Sequence, residues 1–337
     1  MNSQKTSFTL VTTALMDQSR PFPPKLLHRF SDIDTDDLAE VKIIWPQVDP
    51  NRRASLLEDL EELAEADTLV CLDDFSRFAL TDADPRARAT AIRLLWESQD
   101  KNLVPILINM MQNDSDEIVR AAASSALGLY IYLGEIDEIP EKIFKNVEES
   151  LLKKVNSSDA SLVRRRALES LGYSGREEIP AIIKTAYDSK DSEWVASALF
   201  AMSRSADSRW EKAIVSDLTS PEPIIQFEAV RAAAHLDIHS AYEPLLKLLE
   251  DKNILSEDVY RATIWSISQI GGEGVQKRLD ELYDESDDEE EAEFIESAIE
   301  NLVLATGFSF NMLDFDAIEK FNQDDSEDQD SPDEIGE

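Results

Sequence analysis

The residue types best suited to catalysis or metal binding are few in this chain, and their arrangements are weak. Three histidines occur among 337 residues. His235 and His239 are four positions apart, which would place two ligands on one helix face, but they fall where a helix is predicted to end. The run from Asp32 starts like a calcium-binding loop, yet Asp37 replaces the required glycine. Neither arrangement predicts a metal site.

Other catalytic motifs are also missing from the sequence. The glycines from Gly271 to Gly274 lack the lysine of a phosphate-binding loop, so we interpret them as a turn between helices. No Gly-x-Ser-x-Gly nucleophile elbow occurs. We therefore predict no catalytic residues, no metal and no cofactor, and we expect the chain not to be an enzyme.

A block of small and aliphatic residues recurs every 31 to 35 residues, apart from one gap of 44. Its copies begin at Ala87, Val119, Val163, Trp194, Ile225, Val259 and Phe294. Four positions further on the residue is always small: Ala91, Ala123, Ala167, Ala198, Ala229, Thr263 and Ala298. Because conserved offsets of 0, 4, 7 and 8 lie on one helix face, this period predicts stacked helical pairs.

A second apolar stretch follows each block and is predicted to be the second helix of the pair. These stretches are Leu103 to Met111, Ile139 to Val155, Ile179 to Tyr187, Trp210 to Leu218, Tyr242 to Leu249 and Val275 to Tyr283. The pairs Asp84-Pro85 and Ser220-Pro221 predict an N-cap followed by a first-turn proline, and Asp114 with Glu117 matches a capping box.

The pattern D-x-x-V-R-x-x-A-x-x-A-L-G from Asp116 to Gly128, with weaker copies at 84–96 and 159–172, resembles HEAT repeats. It is most similar to the short bacterial class named after phycobilisome lyases, over about residues 50 to 305. The resemblance implies an all-α, right-handed α-solenoid of about seven to eight helical hairpins. It also implies a scaffold or partner-binding role. The paired His-Glu motifs of HEAT-type deoxyhypusine hydroxylases are absent.

Departures from the repeat define the predicted organisation. Residues 1–48 are predicted to be an N-terminal cap, 49–321 the repeat array with its C-terminal cap, and 322–337 a disordered acidic tail. Two alternatives remain open. The stretch Pro21-Phe22-Pro23-Pro24 would dock on a proline-recognising partner, and the aromatic stretch from Phe308 to Phe321 would be a short motif that docks elsewhere.

The 44-residue gap inserts about twelve residues around Tyr130 to Ile139. Insertions in repeat arrays map to one face, often the binding face. Two interpretations are compatible with these apolar and aromatic residues: a longer helix with a covered core, or a bulge that contacts a partner.

Charge narrows the class of partner. The chain has 70 acidic against 33 basic residues, for a formal net charge of −37. This charge argues against nucleic acids and anionic membranes and favours a basic protein or peptide; its alternative role is solubility. Arginines share one repeat position and are expected to pair with aspartates of adjacent turns: Arg88, Arg120 and Arg164 with Asp84, Asp116 and Asp159.

The predicted location is the cytoplasm. No apolar run approaches the roughly 18 residues of a membrane helix. Cys71 is the only cysteine, so no internal disulfide is expected, which suits a reducing compartment. Its apolar neighbours predict a buried thiol.

The leading functional hypothesis is a monomeric, non-enzymatic scaffold that binds a protein or extended peptide on the concave face formed by the second helices. Helical phase and the insertion nominate these partner-binding residues: Asn109, Gln112, Tyr130, Tyr132, Lys184, Asp188, Asp217, Lys247, Glu250 and Asp280. The alternative is a tetrapyrrole (bilin) lyase or lyase-like chaperone.

Removal of residues 322–337 tests the predicted organisation. Because that stretch contains a single large apolar residue, Ile335, it adds little to a folded core. The helical circular-dichroism signal and the melting temperature of the shortened chain should match those of the full chain. A large fall in melting temperature would show that the stretch belongs to the folded array.

Overall fold

A computed structural model of the chain describes residues 8–250 and 256–305, and within these ranges it contains helices and turns but no strand. The helices group into two compact units, Met1–Lys190 and Asp191–Glu337. The predicted domain border at 48/49 stays a prediction, and the one at 321/322 lies outside the described residues.

The first unit contains ten described α-helices. They are α1 (Thr9–Met16), α2 (Thr35–Ile44), α3 (Pro50–Ala66), α4 (Asp73–Ala79), α5 (Pro85–Arg93), α6 (Leu103–Asn113), α7 (Glu117–Glu135), α8 (Glu141–Val155), α9 (Ser161–Leu171) and α10 (Ile179–Tyr187). Short 3-10 segments cover Pro24–Phe30 and Trp45–Gln47.

The second unit continues the alternation of first and second helices. Its described α-helices are α11 (Ser192–Arg204), α12 (Glu211–Asp217), α13 (Pro223–His235), α14 (Tyr242–Leu248), α15 (Glu257–Ile270), α16 (Val275–Glu285) and α17, which covers residues 289–305.

The first helices of successive pairs stack on one another through small side chains. In the first unit α5 packs on α7 and α7 on α9; in the second α11 packs on α13 and α13 on α15. The small residues of the repeat are all fully buried: Ala91, Ala123, Ala167, Ala198, Ala229, Thr263 and Ala298. Small side chains allow helix axes to approach closely. The repeat alignment and the all-α solenoid prediction are therefore confirmed.

Two of the predicted helix starts are wrong. Asp84 is an N-cap as predicted, because its carboxylate accepts the N–H of Arg86. The cap of α7 is Asp116 rather than Asp114, and α13 begins at Pro223 rather than Pro221. In both cases the polar residue two positions before the cap only supports the turn: the N–H of Asp116 donates to Asp114, and that of Glu222 to Ser220.

An arginine ladder links successive turns of the first unit. Arg88 forms a two-point ion pair with Asp114, with Nη2–Oδ1 2.7 Å and Nε–Oδ2 2.9 Å, and donates to the Asp82 carbonyl at 2.8 Å. Arg120 repeats this pattern with Asp159 at 2.8 Å and the Asp114 carbonyl at 2.9 Å. Each arginine thus joins the carbonyl of its own turn to the carboxylate of the next.

The partners in this ladder differ from two of the three expected. Asp84 and Asp116 cap their own helices, so their carboxylates are engaged locally. Asp159 is the one expected aspartate that joins the ladder, as the partner of Arg120. Arg164 donates to the Val155 carbonyl at 2.9 Å, which keeps the backbone half of the pattern.

Arg53 adds an earlier rung that the repeat alignment missed. Its Nε lies 2.8 Å from Asp82 Oδ2, and the two side chains are only 8% and 1% exposed. The indole N–H of Trp45 donates to the same carboxylate at 2.6 Å. Trp45 and Phe30 both pack on Phe75, with ring centroids 5.5 and 4.7 Å apart. The described part of residues 1–48 therefore covers the first repeat, as expected of a cap.

The prediction of a buried Cys71 is wrong. The thiol is exposed, and Leu69 beside it is 88% exposed. The backbone explains the error: the N–H of Cys71 donates to Ser31 Oγ at 3.0 Å, and its carbonyl accepts from Asp32 at 2.8 Å. These bonds fix the segment as a connection between α3 and α4, with its side chains outside the core.

The insertion lengthens two helices, so the first of its two interpretations is confirmed. α7 has 19 residues and α8 has 15, against nine in α5 and eleven in α9. The α7–α8 contact is close at Gly134, because a Cβ there would collide with the ring of Phe144.

Gly134→Ala tests this close contact. In an open helix the change would stabilise by about 1 kcal/mol, since alanine has the higher helix propensity. Here overpacking should outweigh that gain and lower the free energy of unfolding by about 1–3 kcal/mol. Urea denaturation measures the difference. Adding Phe144→Leu should restore much of the loss, whereas a more stable single variant would contradict the contact.

Asp159→Asn tests the ladder and its pH dependence. Burial alone would raise the pKa of Asp159, but hydrogen bonds from Arg120 and Lys154 outweigh burial and hold the pKa well below its usual range. The carboxylate therefore stabilises the fold fully above the unfolded-state pKa of about 3.9, and its contribution falls as pH drops through the folded-state pKa. The variant should lose about 2 kcal/mol at pH 7.

Urea denaturation at pH 7 and pH 3 measures this effect. The gap between wild type and Asp159→Asn should shrink at pH 3. Asp188→Asn is the matched control, because the Lys184–Asp188 pair is more than half exposed and contributes little. A gap that does not change with pH would contradict the assignment.

Candidate functional site

The surface residues nominated from helical phase lie on the second helices of both units or, for Asp188 and Glu250, within two residues of the helix end. The exposed ones are Asn109, Gln112, Lys184, Asp188, Lys247, Glu250 and Asp280, and Asp217 is half-buried. Several contact their own neighbours: Lys184 pairs with Asp188, and Gln276 donates to Asp280 at 2.9 Å. The partner-binding role of these residues stays a prediction.

Tyr130 belongs to the core, which corrects its nomination as a contact residue. It is 1% exposed, and its hydroxyl lies 3.0 Å from the Ser98 carbonyl and 2.9 Å from that of Asp100. Burial is the main cause that raises the pKa of Tyr130 to about 12. Tyr132 lies two positions further on, on the opposite side of α7. It is 45% exposed and packs on Tyr173 with ring centroids 5.5 Å apart.

An open groove of about 470 Å³ lies on the second unit and is lined by α13, α15 and α17. We call it the arginine–aromatic groove. α13 contributes Phe227, Arg231 and His235, α15 contributes Arg261 and Trp265, and α17 contributes Phe294. Its volume is within the range of sites that bind ligands or peptide segments.

A helical stripe positions the groove residues. Phe227, Arg231 and His235 are spaced by four residues, and so are Arg261 and Trp265, so each set follows one line along its helix. These positions lie two, six and ten residues after the start of their repeat blocks. In α13 and α15 these side chains are half-buried or exposed, whereas Ala89, Ala121 and Ala196 at the first of these positions on α5, α7 and α11 are buried.

Cation–π contacts hold the arginines of the groove. The Arg231 guanidinium lies 5.4 Å from the centroid of Phe227, and that of Arg261 lies 4.4 Å from Phe294. Trp265 packs on Phe294 with centroids 6.3 Å apart. One repeat earlier, Arg204 lies over Phe200 at 4.2 Å. Stacking of this kind orients a guanidinium while leaving its N–H groups at the edge.

The charges of the groove are only loosely compensated. Arg231 pairs with Glu228 at 3.6 Å and Arg261 with Glu290 at 3.7 Å, both longer than a hydrogen bond. Among the described residues neither guanidinium forms a hydrogen bond. The ladder arginines are different, because Arg88 and Arg120 are saturated by short bonds.

A second groove, of about 350 Å³, lies on the first unit beside Lys42, Trp45 and Phe78. Its floor is the buried Arg53–Asp82 pair, whose atoms already bond to each other and to the backbone. This groove therefore belongs to the packing of the N-terminal region on the first repeat.

The histidines form no metal site within the part of the chain that the structure describes, where no three potential ligands cluster. His235 Nδ1 lies 2.9 Å from the Arg231 carbonyl, and His239 Nε2 lies 3.6 Å from Asp237.

Comparison with family models identifies the repeats. A family model for HEAT repeats matches residues 72–143 and 211–299. The chain contains HEAT repeats. The second matched stretch contains α13, α15 and most of α17, so the arginine–aromatic groove lies on the HEAT repeats of the second unit.

Experimental structures that are similar to the chain share low sequence identity with it. Escherichia coli YibA is 18% identical, with 85% of this chain and 98% of YibA covered and a TM-score of 0.43. The CpcE–CpcF phycocyanin lyase complex of a Nostoc species is 16% identical, covering 68% and 94%, with a TM-score of 0.43. Human deoxyhypusine hydroxylase is 13% identical, covering 78% and 95%, with a TM-score of 0.34.

A search of curated protein sequences gives no significant match. Within residues 8–250 and 256–305, no helix has both the length and the apolar character needed to cross a bilayer.

Proposed function

We propose that this HEAT-repeat protein is a non-enzymatic scaffold that binds an extended segment of a partner protein in the arginine–aromatic groove. The observation that carries the proposal is an open groove with a 39% exposed tryptophan, Trp265, flanked by two arginines whose side chains form no hydrogen bond among the described residues. Tryptophan and arginine are the residue types most enriched at the energetic centres of protein interfaces.

The dimensions of the groove favour a peptide segment over a compact small molecule. Packed helix axes lie roughly 8–10 Å apart, so three neighbouring helices span about 20 Å. An extended chain covers this distance with about six residues at roughly 3.3 Å each. The groove is open along its length, which suits a segment that enters at one side and leaves at the other.

Stacked helical repeats commonly bind partners on such extended surfaces. The present geometry favours the outer stripe of the first helices, whereas the sequence alone nominated the second helices. The second-helix residues remain a candidate for an additional contact, and a basic partner remains the expectation from net charge. The proposed scaffold is a monomer that acts in the cytoplasm.

Trp265→Ala tests the proposed function. Loss of a large aromatic side chain at the centre of an interface commonly costs 2 kcal/mol or more of binding free energy, so proteins captured by the wild type from native lysate should be depleted with the variant. The matched control is Trp96→Ala in the first unit, because Trp96 is 66% exposed and lies outside the groove.

The measurement is affinity capture with quantitative mass spectrometry, after circular dichroism has shown that both variants keep the wild-type melting temperature. A photo-crosslinking residue at Gln269, which lines the groove and is exposed, should link directly to the captured partner. Equal capture by wild type and Trp265→Ala, without crosslinks at this position, would refute the proposal.

A further inference from the structure

We infer that the arginine–aromatic groove selects an acidic segment in which aspartate or glutamate alternates with aromatic or aliphatic residues. The inference rests on the proposed function and names the chemistry of the partner. It departs from the basic partner expected from the net charge of −37, because the groove has a different local character from the chain as a whole.

The first step concerns the unused donors of the groove. A guanidinium carries five N–H donors in a planar fork that fits a carboxylate with two parallel bonds. Arg231 and Arg261 form no hydrogen bond through these donors among the described residues, and aromatic rings hold both groups in place. A carboxylate that approaches the groove therefore meets two oriented forks on adjacent helices.

The second step concerns the apolar floor. Ala234 and Ala262 line the groove together with the rings of Trp265 and Phe294. Successive side chains of an extended segment point to opposite sides. A segment with alternating acidic and apolar residues can therefore direct carboxylates to the arginine edge and apolar groups to this floor.

The third step weighs the resident carboxylates. Glu228 and Glu290 pair with the groove arginines, and the exposed Asp258 lines the groove. These carboxylates would also attract a basic segment. Glu290 is 84% exposed, and its contact with Arg261 is 3.7 Å, so this pair is a weak competitor. A short two-point bond from a partner carboxylate replaces it. Long-range repulsion from the remaining acidic surface is screened beyond about 8 Å at physiological salt.

The groove therefore differs from the ladder in the first unit, although both use arginine. Ladder arginines are saturated by the chain's own aspartates and serve packing. The groove arginines stack on aromatic rings, stay loosely paired and line an open surface, which is the arrangement of a recognition site for carboxylates.

The test is a selection from a random twelve-residue peptide display library on the immobilised full chain, with counter-selection on Trp265→Ala so that groove ligands are kept. The enriched peptides should carry aspartate or glutamate interleaved with aromatic or aliphatic residues. Enrichment of lysine and arginine, or of uncharged sequences, would overturn the inference, as would the absence of enrichment.

Fluorescence anisotropy then compares the best acidic peptide with its amide version, in which asparagine and glutamine replace the acids. The acidic form should bind at least tenfold more tightly to the full chain. The double variant Arg231→Gln with Arg261→Gln should remove this preference, while Arg209→Gln, a 57% exposed arginine of the same unit outside the groove, should keep it. Equal binding of both peptide forms to the wild type would overturn the inference.

The two proposals can fail separately. If Trp265→Ala depletes the captured partners but the selected peptides are basic, the scaffold function stands and the acidic specificity is refuted. If capture and selection are both independent of Trp265, both proposals fall.

Discussion

Close stacking of the first helices through small side chains is the constraint on which the other features depend. Ala123 and Ala167 are fully buried between neighbouring helices, and Ser170 donates across the same contact to the Ser124 carbonyl at 2.8 Å. Because this stripe fixes the rotation of every first helix, it also fixes which residues point into the turns and which point outward. The ladder arginines lie one position after the start of their repeat blocks. The groove residues of α13 and α15 lie two, six or ten positions after it.

Much of the fold could be predicted because the repeat is defined by small residues at fixed spacings, which the sequence shows directly. The second helix α10 has its predicted bounds, Ile179 to Tyr187. Local signals at helix starts were less reliable. Asp114 and Asp116 are both suitable cap residues by type. In the structure Asp114 pairs with Arg88 of the preceding repeat, a contact that the sequence alone does not give, and Asp116 caps α7. Cys71 was misjudged for the same reason, since apolar neighbours do not reveal a connection tied to Ser31.

The candidate site was less accessible to sequence reasoning. A signal existed: positions two and six of consecutive repeat blocks carry an aromatic residue and an arginine, in the order Phe227 then Arg231 on α13 and in the reverse order, Arg261 then Trp265, on α15. The two sets form one groove only when the helices lie side by side, because each helix alone shows an ordinary amphipathic pattern. The insertion was a more visible departure from the period, but its Tyr130 is buried in the core.

The ladder also makes the repeats non-interchangeable. In the second unit the equivalent position on α13 is Gln226, which donates to the Leu218 carbonyl at 2.8 Å but brings no charge. A repeat moved from the second unit into the first would leave an aspartate such as Asp159 without its guanidinium. The reverse transfer would bring in an arginine without its carboxylate. Exchange of repeats between the units is thus limited by the need to pair each ladder arginine with a carboxylate. The surface residues of this array can therefore vary far more freely than the order of its repeats.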